Sequence, residues 1–338
     1  MDKYNLAIEM GSSNTVICKF YDGVVLKEPT VIAMQGEGEK RSVVAIGDAV
    51  KKMSVVPKQV QVVRPIENGV IVDMESAAIM LKKFLEKIDE IKFFKKPNIL
   101  FLVPCGLTVE EKNDYRNLAY LLGISNVDVM PSVLASMIGL NINHSDNTTY
   151  MIANIGSNTD IAVVHNGKII DGCTIDVGGS SIDRNIRQYI LEHKDLDIDE
   201  FSCEKIKIDI GTLLTNDVRS MKICGNDSMG EYRELYIDST EVYDILDSEY
   251  EHIVRVMDRL LSKCSSNSIS DIVMKGIYLC GASSNMPGIC DYFASRLNIV
   301  PVTLAENPHA TTIIGAGNLL NNDILLSELI VLNRTDGE

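Results

Sequence analysis

The stretch Asn154–Ile170, NIGSNTDIAVVHNGKII, sets a Gly-Ser-Asn-Thr turn ahead of a strand-like run that closes on an Asn-Gly turn. Glu9–Val25, EMGSSNTVICKFYDGVV, has the same layout. Gly11 aligns with Gly156, Asn14 with Asn158, Thr15 with Thr159 and Gly23 with Gly167. An apolar run precedes each turn (NLAIEM, TYMIANI) and two more follow it. After the first turn these are VICKFY and VVLKEPTVIAM; after the second, DIAVVHN and KIIDGCTIDV. Each copy therefore reads as a three-stranded meander joined by turns. Only two copies exist, so the chain has two similar halves and is not a solenoid.

Helical patterns lie between and after the copies. In ESAAIMLKKFLEKIDEI, Ala77, Leu81, Phe84, Ile88 and Ile91 recur at three- and four-residue steps, one face of an amphipathic helix packed on its own sheet. NILFLVP reads as a buried strand ending at Pro104. TVEEKNDYRNLAYLLG is a second helix, opened by Thr108 with Glu111 three residues on, a capping-box pattern. GIYLCGASSNMPG reads as strand, Gly-rich turn and helix start, and LLSELIVLNRTDGE as a short helix with a frayed end. Alternating strands and helices argue for an α/β fold in two lobes.

The composition narrows the function classes. The 338 residues suffice for two domains or four small ones, and 46% apolar with 23% charged residues is the profile of a globular protein. No apolar run reaches the ~18 residues that span a bilayer. MDKYNLAIEM lacks the basic region and apolar core of a signal peptide. The eight Cys are scattered singly, with no zinc-like spacing, which reads as reduced thiols in the cytoplasm. A net charge of −15 opposes general affinity for nucleic acid or anionic membranes, so any such contact needs a local patch.

Turns of Gly, Ser and Thr present backbone N–H groups and hydroxyls with little steric cover, and such turns hold phosphate oxygens. One turn is weak evidence, since hairpins use these residues anyway. Two equivalent turns on duplicated halves are stronger: facing each other they clamp one polyphosphate from both sides. Gly281-Ala282-Ser283 is a third turn, suited to the nucleoside end.

From residue 6 to about 320 the chain resembles the actin/heat-shock-chaperone/sugar-kinase superfamily, and within it the MreB-like bacterial actins. IEMGSSNT resembles the first phosphate loop (Gly11, Ser12, Ser13, Asn14, Thr15) and NIGSNT the second (Gly156, Ser157, Asn158, Thr159). GVVLKEPTVIA resembles the strand after the first loop, while VVAIGDAVKKM and VVRPIENGVIVDMES resemble a small-subdomain segment and the return crossing. CTIDVGGSSID, with Gly178 and Gly179, resembles the strand and helix start after the second loop. SCEKIKIDIG resembles the adenosine-binding helix, in which Glu204 and Lys207 meet ribose and adenine; its plain alternative is a surface ion pair between the two. LCGASSNMPG resembles the adenosine-side loop (Gly281, Ala282, Ser283), and LAENPHATTIIGAG the closing segment. The resemblance implies a duplicated two-lobed actin-like fold with ribonuclease H-like halves, a nucleotide cleft between lobes, and bound ATP or ADP with Mg²⁺. It also implies subdomains at 1–32 with 70–145 and 321–338 (IA), 33–69 (IB), 146–181 with 246–320 (IIA), and 182–245 (IIB).

Three positions depart from the pattern. The family places Asp at Glu9, Asp at Asn154, and Glu or Gln at Met130, groups that organise the Mg²⁺ hydration shell and position the attacking water. Glu9 keeps a carboxylate but adds a methylene, Asn154 loses the charge, and Met130 neither accepts a proton nor orients water. Losing one such group costs roughly 10²–10⁴ in rate, so the expectation is retained nucleotide binding with slow or absent hydrolysis, a weak ATPase at most. Replacement of the lost groups by Asp160 or another residue is the alternative.

Three functions compete on these grounds. The first is a self-assembling filament protein of cell shape or cytoskeletal organisation, peripheral on the inner face of the cell membrane. Its membrane contact is the loop IKFFKK, where Phe93 and Phe94 dip into the bilayer beside Lys92, Lys95 and Lys96, unless both rings pack under the preceding helix. The second, a sugar kinase, is disfavoured by the altered acidic positions. The third is a non-polymerising regulator or scaffold that binds an active MreB-type paralogue, which suits a degenerate site. Chaperone relatives are set aside, because little chain follows the closing motif.

Overall fold

The computed structural model describes residues 4–36, 41–53, 57, 59–91, 96–299 and 301–334. The first meander is β1 (Leu6–Met10), β2 (Asn14–Lys19) and β3 (Gly23–Pro29), antiparallel throughout, with Met10 opposite Thr15 across the first turn. The run expected to continue through TVIAM does not. Pro29 has no N–H for the ladder, the Thr30 N–H donates to the Ser13 carbonyl at 3.0 Å, and the chain leaves the sheet. β4 (Ile32–Gln35) then joins a separate antiparallel sheet with β5 (Ser42–Ile46) and β6 (Val60–Val63), order β5-β4-β6, with α1 (Asp48–Lys51) between. A small hairpin, β7 (Ile66–Glu67) and β8 (Val70–Ile71), turns at Asn68 and Gly69, both left-handed at φ 52° and 78°.

α2 (Met74–Lys87) starts at Asp73, whose carboxylate accepts the Ser76 N–H at 2.9 Å, and buries Ala77, Leu81 and Phe84 as its spacing predicts. β9 (Ile99–Val103) is buried at all five positions, as a central parallel strand must be. The capping box of α3 (Val109–Leu121) forms as read: Thr108 Oγ1 accepts from Glu111 N at 3.2 Å, and Glu111 Oε2 from Thr108 N at 2.8 Å. β10 (Val127–Pro131) runs parallel to β9 and leads into α4 (Ser132–Gly139).

The second meander is β11 (Thr149–Ile155), β12 (Thr159–His165) and β13 (Lys168–Ile175). There follow α5 (Gly179–Lys194), α6 (Glu200–Ile210), the hairpin β14 (Ser220–Asn226) and β15 (Tyr232–Asp238), α7 (Ser239–Ser262), α8 (Ser266–Lys275), β16 (Ile277–Cys280), α9 (Ile289–Leu297) and β17 (Val302–Leu304). α10 (Thr311–Leu320) and α11 (Asp323–Leu332) end the described chain. A short 3-10 turn, Ala282–Asn285, follows β16.

The duplication is visible in strand order. One sheet runs β3-β2-β1-β9-β10 and the other β13-β12-β11-β16-β17: a meander, then two parallel strands added beside its first. The chain gathers into two compact units, Met1–Asp146 with His165–Thr174 and Ala310–Glu338, and Asn147–Val164 with Ile175–His309. The core of the first unit joins Leu6, Ile8, Phe84, Phe101 and Tyr115, among others. Each such apolar side chain contributes about 1.5–3 kcal/mol on burial. No described helix is long and apolar enough to cross a membrane.

Within the first unit α4 and α10 touch backbone to backbone. A Cβ on Gly315 lies 1.8 Å from the Ala135 carbonyl oxygen, and one on Gly139 lies 2.0 Å from that of Thr311. Ser136 and Thr312 share a 2.8 Å hydroxyl hydrogen bond across the same seam. The helices must part to admit any side chain there. Gly315→Ala is expected to cost roughly 2 kcal/mol and lower the thermal midpoint by about 4–8 °C, measured by calorimetry; an unchanged midpoint contradicts the close approach.

Candidate nucleotide-binding site

The first turn belongs to the first unit. The Gly11 N–H donates to the Asn14 carbonyl at 3.0 Å, which closes the turn. Ser12 Oγ accepts the Asn68 N–H at 2.8 Å, so the β7–β8 hairpin steadies it. Thr15 is 0% exposed and shares a 3.0 Å hydrogen bond with the Thr30 hydroxyl. Ser13 is half-buried and Asn14 exposed. Glu9 is half-buried in β1, beside Leu102 and Val16. Its charge, after burial, helps push the Tyr115 phenol pKa up. Met130 is 1% exposed in β10, in register with Leu102.

The second turn belongs to the second unit and closes alike, Gly156 N–H to the Asn158 carbonyl at 2.9 Å. It is one residue shorter, GSNT against GSSNT. Thr159 is also 0% exposed, and its hydroxyl donates to the Val177 carbonyl at 2.6 Å. The hydroxyls of Thr15 and Thr159 thus tie each turn to the chain behind it. Asp160, beside Thr159, is buried.

Two segments of the second unit converge on this turn. The Gly179 N–H donates to the Gly156 carbonyl at 2.8 Å, and the Ser180 N–H to that of Ser157 at 3.1 Å. Ser283 Oγ donates to the same Gly156 carbonyl at 2.9 Å. The approach needs glycine. A Cβ on Gly178 falls 2.8 Å from both the Gly156 and Ser157 carbonyl oxygens, and one on Gly179 falls 2.8 Å from Ser283 Oγ and 3.1 Å from Lys207 Nζ. Gly281 is left-handed at φ 89°, and its Cβ would lie 2.5 Å from Asn154 Oδ1, since β11 and β16 pair at Asn154 and Cys280. Ala282 is exposed at the tip of this turn.

The ion pair at Lys207 differs from the sequence alternative. Lys207 pairs not with Glu204, which is exposed on α6, but with Asp183 of α5, at 2.7 Å. Nζ also donates to the Gly179 carbonyl at 3.0 Å, and the two side chains are 11% and 14% exposed. Burial pushes the Asp183 carboxyl up, opposed by the Lys207 charge and hydrogen bond. Asp183 Oδ1 is buried without a hydrogen-bond partner among the described residues.

Sequence reading did not find Asp183, Glu249 or Tyr250. Glu249 accepts from the Ser181 hydroxyl and from Asn185 Nδ2 at 2.8 Å, holding the first turn of α5. The Tyr250 hydroxyl donates to the Ser283 carbonyl at 2.7 Å. Their only local signal is helical spacing on α5 and α7, which reads as ordinary helix surface and core. Phe93 and Phe94 lie outside the described residues.

The arrangement in the second unit brings a Gly-Ser-Asn-Thr turn, the Gly281–Ser283 turn and a nearly buried ammonium close together, and turns of this kind are suited to oxyanions. Comparison with known proteins points the same way. A profile of the MreB/Mbl protein family matches residues 3–327. The cell shape-determining protein Mbl of Bacillus cereus is 32% identical over 323 residues, spanning 94% of this chain and 96% of that one. A crystal structure of MreB5 of Spiroplasma citri bound to ADP superposes with a TM-score of 0.87 at 27% identity, covering 96% of this chain and 97% of that one. The same MreB5 bound to AMPPNP gives 0.88 at 26%, with the same coverage. With the duplicated strand order, the paired turns and a family match along nearly its whole length, the chain belongs to the MreB/Mbl family of bacterial actins.

Proposed function

We propose that this chain is a nucleotide-binding, filament-forming bacterial actin homologue that acts in cell shape or cytoskeletal organisation. The observation that carries the reading is the glycine-only contact of Gly178 and Gly179 with Gly156, Ser157, Ser283 and Lys207, and of Gly281 with Asn154 and Ile155, inside a chain of this family. The ADP- and AMPPNP-bound MreB5 structures support ATP or ADP as the ligand. The second-unit turn takes phosphate oxygens with Gly178 and Gly179 of the α5 start packed behind it, Lys207 and Glu204 take the ribose and base end, and the Gly281–Ser283 turn covers the nucleoside. The Gly11–Thr15 turn is the proposed second phosphate contact. The separate β5-β4-β6 sheet and β14–β15 hairpin support reading 33–69 and 182–245 as small subdomains.

Among the described residues no group of three His, Cys, Asp or Glu gathers to cage a metal. Mg²⁺ held mainly by phosphates and water needs none. It would supply charge neutralisation, and Glu9 and Asn154 are the residues that would hold it, through water. Met130, buried and apolar, has no means to hold or deprotonate water, which supports slow or absent hydrolysis. Closure around nucleotide without turnover is still able to favour a polymer-competent state.

Three experiments test the reading. Purified protein is expected to bind ATP by calorimetry yet release phosphate at least about 10²-fold more slowly than an active bacterial actin, and Glu9→Asp with Asn154→Asp should raise that rate; wild-type release at the active rate sinks the hydrolysis claim. Negative-stain electron microscopy should show filaments whose abundance rises with ATP. Nucleotide binding without filaments transfers the protein to the regulator reading, bound to an MreB-type paralogue. Finally, Phe93→Ser with Phe94→Ser should abolish sedimentation with liposomes while the thermal midpoint holds; undiminished binding removes the membrane loop.

A further inference from the structure

We infer that Tyr250, which lies outside the proposed ligand-binding turns, sets the affinity and base selectivity of the site by fixing the Gly281–Asn285 turn; the inference rests on the nucleotide-binding reading. Tyr250 is on α7 and is 0% exposed. Its ring is held edge-on by Tyr292 and Phe293 of α9, with centroids 6.3 Å away in both cases. Edge-on packing of this kind is a favoured arrangement of aromatic pairs and confines the ring. The hydroxyl donates to the Ser283 carbonyl at 2.7 Å. Burial pushes the phenol pKa up, so the group remains a donor through the physiological range.

Ser283 is thereby held at both ends, its carbonyl by Tyr250 and its hydroxyl by Gly156. Other bonds also hold the turn, the Gly281 N–H to the Pro308 carbonyl at 2.7 Å, the Ser284 N–H to the Gly281 carbonyl at 3.1 Å and Ser284 Oγ to the Cys280 carbonyl at 2.6 Å, but none of these takes the Ser283 carbonyl. Asn285 Nδ2 donates to Ala282 within the turn itself. The phosphate-side turn keeps its own bonds, Gly156 to Asn158 and Gly179 to Gly156, without Tyr250. Loss of the hydroxyl thus falls on the nucleoside end. Tyr292 is the matched comparison. Its hydroxyl bonds Asp247 of α7 at 2.9 Å, in the same aromatic cluster, with no hydrogen bond to the turn.

Wild type, Tyr250→Phe and Tyr292→Phe are compared by calorimetric binding of ATP, ADP and GTP. Tyr250→Phe is expected to weaken ATP and ADP by the same factor, about fivefold, and to narrow the difference between ATP and GTP; Tyr292→Phe should leave all three within about twofold. Unchanged ATP affinity in Tyr250→Phe, an equal loss in Tyr292→Phe, or unequal losses of ATP and ADP each overturn the proposal. Should Tyr250→Phe not fold, Ser283→Ala frees the same turn from Gly156; the same paired loss is expected, and unchanged affinity overturns the proposal. Wild type that binds no nucleotide removes the underlying reading instead, and the inference with it.

Discussion

The Gly156 carbonyl oxygen accepts two hydrogen bonds, from the Gly179 N–H at 2.8 Å and the Ser283 hydroxyl at 2.9 Å. A carbonyl has two lone pairs, and here both are used on segments remote in sequence. Those two bonds make one surface out of the second turn, the start of α5 and the turn after β16. They also dictate composition nearby. Donors can reach one oxygen from two sides only where no Cβ intervenes, which is why Gly178 and Gly179 meet there. Lys207 fills the space that remains, and Asp183 answers its charge in a setting too buried to leave it alone.

Asn154 lies beside this network, and its neutral amide oxygen faces Gly281 across the β11–β16 pair. Met130 is part of a buried strand and contributes to packing. Binding and turnover draw on different groups: binding needs N–H donors, a cation and a shaped cavity, whereas turnover needs a positioned water and a responsive cation. In the second unit the cation of Lys207 is tied into a bonded network with Asp183 and the Gly179 carbonyl.

Much of the fold was legible before any coordinates. The duplicated turns, the Thr108–Glu111 capping box and the buried stripe of α2 depend on neighbours within one turn of chain, and they appear as read. Apolar content continues past Pro29 and suggests a longer strand than forms, because the missing N–H there ends the ladder. The Lys207 partner was legible only as a helical neighbour, Glu204, and proved to be Asp183, 24 residues away on another helix.

Sequence alone thus determined that there are two related halves, where their turns lie, and which family they belong to, because turn chemistry and strand periodicity are written in consecutive residues. Tertiary structure alone decided which groups share a site. Ser283 and Gly156 are 127 residues apart, and Tyr250 and Ser283 are 33. They meet because β16 is laid parallel to β11 and α7 packs against α9, and no local pattern encodes which distant carbonyl a buried hydroxyl will find.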